Sequence, residues 1–144
     1  MTGPIQFFRN PTLTGVALAR EERGAAIVEM ALVLPLFLAL LMGVLVYGQY
    51  FMLAHSVQQS ANDGARAAIV GLDAADRRAV ATRAVGRSLH GVAGTHSVTV
   101  SETSEAVTVA VAFTVPRDSI LRSSFVPSPG EVIRARATFE LPVD

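Results

Sequence analysis

The stretch RGAAIVEMALVLPLFLALLMGVLVYG, residues 23–48, decides the fold because it is long and apolar enough to cross a bilayer. From Met30 to Tyr47 it holds 18 residues without a charge. At a rise of about 1.5 Å per residue such a helix is about 27 Å long, close to the thickness of the hydrocarbon core. A buried helix of a soluble protein would carry a polar stripe, and this run has none. We therefore predict a transmembrane helix over residues 25–54.

Pro35 lies inside the predicted span. Proline removes a backbone N–H and crowds the preceding turn, so in water it would break a helix. In a membrane the freed carbonyl group can be served by neighbouring helices, and a bend is tolerated. The sequence therefore predicts a helix kink at Pro35.

Positive charge is concentrated on one side of the span, which predicts its direction. Three arginines precede the span, whereas the first arginine beyond it is Arg66. Arginine-rich flanks stay in the cytoplasm. We therefore expect a single-pass protein with a poorly ordered cytoplasmic leader over residues 1–24 and an extracytoplasmic head over residues 55–144. The three preceding arginines are Arg9, Arg20 and Arg23.

The composition excludes several kinds of site. The 144-residue chain has a formal net charge of zero and no cysteine, and all 12 of its basic residues are arginine. Disulfides, thiolate metal sites, Walker-type phosphate loops and lysine Schiff bases are therefore excluded. A neutral chain also gives no basis for nucleic-acid binding. The histidines, His55, His90 and His96, match no metal-ligand spacing, so we expect no catalytic residue, no metal and no cofactor.

Two helices are predicted in the head, over about residues 55–70 and 73–89. In the first, Ser60, Gly64 and Ala68 are four residues apart, and small residues at that spacing let another element approach closely. The alternative is that Gly64 only weakens the helix, by about 1 kcal/mol. In the second, Asp73 is a good N-cap residue.

Three strands complete the head, over about residues 96–102, 106–115 and 132–141. The last two alternate strictly between apolar and polar or small residues, which is the pattern of a half-buried antiparallel sheet. Such a sheet needs a helix laid across its apolar face. The predicted fold class is α+β: a long N-terminal transmembrane helix extended into an exported head that has a second helix and a small three-stranded antiparallel sheet.

Glu29 is the one acid at the edge of the apolar run, five residues after Gly24. An ionised carboxylate near lipid is costly and is a functional hypothesis until its partner is named. The spacing of Gly24, Glu29 and a long apolar helix resembles the processing region of type IV pilins and pseudopilins. Over residues 23–71 the chain is similar to the TadE-like family of the tight-adherence (Flp) pilus system. The residues that carry this likeness are the Val-Glu pair, the Ala-Leu-Val-Leu-Pro run and the segment ANDGARAA, residues 61–68.

The resemblance implies a non-catalytic pseudopilin-like component of pilus assembly. A prepilin peptidase would cut after Gly24, Ala25 would become the new N-terminus, and Glu29 would pair with the N-terminal amine of a neighbouring subunit. The implied partners are membrane lipid, the peptidase, other pilin or pseudopilin subunits and the assembly machinery. The implied place is the bacterial inner membrane, and whether the chain also enters the pilus stays open. Met30 departs from the family's pattern, in which an aromatic residue often follows the glutamate.

The sequence is also compatible with a second function. The chain would then be an uncleaved, membrane-anchored binding module that presents its head to an extracytoplasmic ligand. That hypothesis predicts an intact leader and tolerance of the substitution Glu29→Ala.

Overall fold

A computed structural model of the chain describes residues 12–122 and 126–141, with side chains from Gly24 onward. The chain divides into two compact units, Met1–Leu41 and Met42–Asp144. The first helix, α1, comprises Thr12–Ala68. It begins inside the predicted leader, whose residues 1–11 lie outside the described part. From Thr12 onward the structure therefore differs from the expectation of poor order. The sequence before Gly24 contains good helix formers, and extending an existing helix costs little compared with starting one.

The apolar run of α1 is exposed on all sides from Ala25 to Met42, as expected for a segment that faces lipid. Leu32, for example, is 75% exposed, and Leu36 is 72% exposed. The helix continues without interruption through Pro35. Within the described residues this is one helix long and apolar enough to span a membrane.

The second helix, α2, comprises Ala74–Ser88 and begins at an N-cap made by Asp73. The Asp73 side chain accepts a hydrogen bond from the backbone N–H of Asp76 at 2.8 Å. The Asp76 carboxylate in turn accepts from the backbone N–H of Leu72, just before the helix, at 3.0 Å. These two bonds satisfy one N–H group of the first turn and one that precedes it. Gly71 makes the tight turn possible, because a Cβ atom there would lie 2.7 Å from the Cα atom of Arg77.

The sheet contains three antiparallel strands in the order β1-β2-β3. They comprise Thr95–Glu102, Ala106–Thr114 and Val132–Glu140. Val98 of β1 faces Val111 of β2, which faces Ala135 of β3. A short 3-10 helix, Ile120–Arg122, lies in the connection between β2 and β3. The predicted α+β fold class is confirmed.

One apolar face of the sheet packs with α1 and α2 to form the core. Along β2 every second residue is buried, beginning with Val107, and β3 shows the same alternation from Ile133 to Ala137. The helices contribute mostly alanine and valine to this core, so their backbones lie near the sheet. The helix residues buried there are Val46, Val57, Ala61, Ala65 and Ala68 from α1, and Ala81 and Val85 from α2, with Leu89 after it.

The core begins earlier along α1 than the predicted end of the membrane span. Val46 is 1% exposed, and Tyr50, Leu53 and Ala54 are half-buried against the same core. On this side of α1, residues from Val46 onward therefore contact the head and not lipid. Hydropathy cannot make this distinction, because an apolar side chain suits both environments.

Candidate functional site

The segment from Gly24 to Glu29 lies on α1 and is exposed throughout. A Cβ atom added at Gly24 would meet nothing within 4 Å. Among the residues whose side chains are described, none therefore requires a glycine here for packing. Its effect on the helix is a local weakening of about 1 kcal/mol relative to alanine. This makes residue 24 an easy place for the helix to unwind.

Glu29 is exposed at the start of the charge-free run. Among the side chains that the structure describes, none forms a salt bridge with it. An exposed carboxylate at the start of the apolar run is accessible to a group from outside the chain. The free-energy cost of keeping this carboxylate ionised next to lipid stays small only while water or a cation reaches it.

The face of α1 that carries Ser60, Gly64 and Ala68 is buried in the head. A Cβ atom at Gly64 would lie 2.8 Å from Cγ2 of Val85 on α2 and 3.2 Å from Cγ1 of Val109 on β2. Ser60 and Ala68 are each 0% exposed. The Ser60 hydroxyl donates to the carbonyl oxygen of Val57 at 2.8 Å, one turn earlier on the same helix.

Three polar contacts join α1 to other parts of the head. The Tyr47 hydroxyl donates to the carbonyl oxygen of Pro127 at 3.3 Å. Further along, the Gln58 amide donates to the carbonyl oxygen of Arg136 on β3 at 3.1 Å. The hydroxyl of Ser88, the last residue of α2, donates to the Asp63 carboxylate at 2.6 Å. No sequence pattern links these partners, which are 25 to 80 positions apart.

The part of the chain that contains the exposed acid and this packing face can be compared with known families. A family model described as TadE-like protein matches residues 24–66. These residues form a TadE-like segment. The resemblance seen in the sequence is thereby confirmed for less than half of the chain. No curated protein matches the chain, and no solved structure does so either.

The TadE-like segment begins at Gly24 and ends on the buried face of α1. The match indicates a component associated with the tight-adherence pilus, a structural kind of protein. The single apolar helix within it indicates membrane anchoring. Residues 67–144, which include α2 and the whole sheet, lie outside the matched range.

The described residues contain no group of three or more His, Cys, Asp or Glu side chains placed to hold a metal ion. His55, His90 and His96 are all exposed.

The open face of the sheet carries a shallow groove that is lined mostly by residues outside the TadE-like segment. Arg134 and Arg136 project from β3 on this face, next to small residues of β2 and hydroxyl groups of β1. Both arginines are exposed. The groove also includes Gln58, Ser97, Thr99, Ala110 and Ala112.

Proposed function

We propose that the chain is a pseudopilin-like, non-catalytic assembly component of a tight-adherence pilus. It is inserted with its N-terminus in the cytoplasm and its head outside. A prepilin peptidase cuts after Gly24, which leaves Ala25 as the new N-terminus. Glu29 then pairs with the N-terminal amine of a neighbouring subunit at the membrane edge.

The observation that supports this proposal best is the position of the TadE-like match, which begins at Gly24 and includes Glu29. Both residues are exposed on α1, and the described part of the chain gives neither a packing role. A glycine without contacts suits a site that must leave the helix to enter a protease cleft. An exposed acid at the end of an apolar run suits a partner from another molecule.

The pairing of Glu29 with an amine has a clear electrostatic reason. The attraction between a carboxylate and an ammonium about 4 Å apart is about 1 kcal/mol in water and about 4 kcal/mol at the lower effective dielectric of a protein surface. At the edge of a bilayer the pair also removes two charges that would each oppose insertion. Cleavage supplies the cation, because hydrolysis of the Gly24–Ala25 peptide bond consumes one water, leaves a carboxylate on Gly24 and leaves a protonated amine on Ala25.

The proposal is tested by the intact mass and the N-terminal sequence of the chain after extraction from membranes. The chain is produced with and without a prepilin peptidase. We expect a mature chain that starts at Ala25 only when the peptidase is present, and loss of this product in Gly24→Leu. The matched control is Gly48→Leu, since Gly48 is another contact-free glycine of α1. That variant keeps normal cleavage.

An intact leader in the presence of an active peptidase overturns the processing step. The second candidate, an uncleaved anchored binding module, then takes its place. The groove that holds Arg134 and Arg136 favours that function, because two exposed guanidinium groups on one strand suit an anionic ligand. Normal assembly of the variant Glu29→Ala would overturn the pairing step separately.

A further inference from the structure

The register of the strands gives the head two distinct ends. Thr95, Thr114 and Val132 lie side by side at one of them. The turn between α2 and β1 and the connection between β2 and β3 are at this same end, which we call the proximal end. The opposite, distal end carries the β1–β2 hairpin and the turn from Val70 to Asp73, where Arg77 pairs with Glu102.

The proximal end lies alongside the first part of α1 that enters the core. Pro127 accepts the hydrogen bond of Tyr47. Further along α1, three segments of the chain line one groove. One of its lining residues is Leu121 of the 3-10 helix, which is only 3% exposed. The groove is lined by Gln49, Met52, Leu53 and Ser56 of α1, Val92 and Ala93 of the turn, and Ser119 and Leu121 of the connection.

This position along α1 can be compared with the thickness of a bilayer. The run from Ala25 to Leu45 has 21 residues, and Val46, which follows it, is the first buried residue among those described from Gly24 onward. At about 1.5 Å each this is about 31 Å, the thickness of the hydrocarbon core. The headgroup layer adds about 5–7 Å on each side, equivalent to the next four or five residues. Tyr47 therefore lies close to the outer boundary of the hydrocarbon core, where the headgroup layer begins.

The exposed residues on the side of α1 that the head does not cover support the same position of Tyr47 relative to the bilayer. Phe51 is 66% exposed and Met52 is 72% exposed, so apolar surface continues past Val46 on that side. Aromatic side chains with an apolar body are favoured in the interfacial layer. A bilayer that covers Phe51 also reaches the level of the Tyr47–Pro127 hydrogen bond.

We propose that the proximal end of the head contacts the lipid bilayer, with residues 126–130 of the β2–β3 connection in the headgroup layer, where Pro127 bonds to Tyr47. Residues 116–122 then lie at the outer edge of that layer, because Ser119 and Leu121 share a groove with the α1 residues from Gln49 to Ser56. This inference rests on the proposed membrane insertion. Among the described residues of the connection, Ile120 is 39% exposed and offers an apolar side chain to lipid. Arg117 and Asp118 are adjacent and both exposed. Because their charges cancel, the contact does not depend on anionic lipid.

The absence of cysteine from the chain allows single labels to be placed without background. The full chain is reconstituted in phosphatidylcholine vesicles as Ile120→Cys, Val44→Cys or Leu72→Cys, each labelled with an environment-sensitive fluorophore. Quenching is then measured with a nitroxide on the lipid headgroup and with one deep in the acyl chain. Leu72 is the matched control, because it is a 91% exposed aliphatic residue at the distal end.

We expect the headgroup nitroxide to quench the label at residue 120 and the deep nitroxide to quench the label at residue 44. Neither should quench the label at residue 72. The quenching at residue 120 should be the same in vesicles that contain anionic lipid. Arg117→Cys provides a second label on the connection in case the label at residue 120 disturbs folding.

The outcomes separate this inference from the insertion on which it rests. If residue 44 is quenched while neither residue 117 nor residue 120 is, the chain spans the bilayer but the proximal end stays in water, and the inference is overturned. If residue 44 is not quenched either, the membrane insertion itself has failed. Equal quenching at residues 120 and 72 would also overturn the inference, because both ends of the head would then be equally close to lipid.

Discussion

At Gly64, α1 lies close to both α2 and the sheet, and the substitution Gly64→Ala tests that packing. The added Cβ atom would lie 2.8 Å from a methyl group of Val85 and 3.2 Å from one of Val109. It would also lie 3.5 Å from the carbonyl oxygen of Ala81. Carbon atoms in a well-packed interior are about 3.5–4.0 Å apart. At least one of the three elements must therefore move.

Two opposing terms determine the size of the effect. Alanine is favoured over glycine within a helix by about 1 kcal/mol. Overpacking a core costs about 1–3 kcal/mol. Val85 and Val109 are each 0% exposed, and a β-branched side chain has few alternative rotamers with which to make room. We therefore expect packing to dominate and the free energy of unfolding to fall by about 1 kcal/mol.

The measurement is the melting temperature of the full chain in detergent micelles, by differential scanning calorimetry. For a head of this size a loss of about 1 kcal/mol lowers the melting temperature by about 4–8 °C. Gly86→Ala is the matched control, because a Cβ atom on that α2 glycine would meet nothing within 4 Å. It should raise the melting temperature. If both substitutions raise it equally, Gly64 is not a close-packing position and the reasoning is refuted.

Three further predictions concern charged groups. Asp73→Ala removes the N-cap of α2 and should lower the free energy of unfolding by about 1 kcal/mol; an unchanged melting temperature would contradict this role. A double-mutant cycle of Arg77→Met and Glu102→Gln should give a coupling of about 0.5–1 kcal/mol that weakens in high salt, since these side chains are only 21% and 26% exposed. A coupling near zero would mean that the pair is incidental. Glu29→Gln should prevent co-purification with neighbouring subunits, whereas Leu36→Ala should not; equal loss in both would contradict a specific role for the carboxylate.

The sequence predicted those parts of the fold that depend on local patterns. Strict alternation around Val109 and Ala135 follows from one wet and one covered face of a sheet. The start of α2 follows from hydrogen bonding by Asp73, which acts within one turn. The continuity of α1 was less predictable, because the predicted leader before Gly24 combines helix formers with glycine and proline.

The sequence predicted the residues of the candidate site but not where the head packs against α1. Gly24 and Glu29 have a recognisable spacing, and the family match starts at the first of them. The depth at which the head meets α1 was not predictable. Val46 and Leu45 have similar hydropathy, but one is 1% exposed and the other 52% exposed. Only the positions of distant segments, such as the connection that contains Pro127, decide which of them faces lipid.

The exposed apolar surface of α1 constrains how neighbouring subunits can recognise each other. Side chains such as Leu32 and Leu36 are largely accessible, yet lipid tails are as apolar as leucine, so exchanging lipid for another helix gains little hydrophobic free energy. Specificity then comes from close packing of small residues and from groups that lipid cannot satisfy. Among the described side chains of residues 24–45, Glu29 is the one charged group. The proposed pairing with a new N-terminal amine would therefore both permit association and favour one axial register between helices, since the attraction is strongest when the two charged groups are in contact.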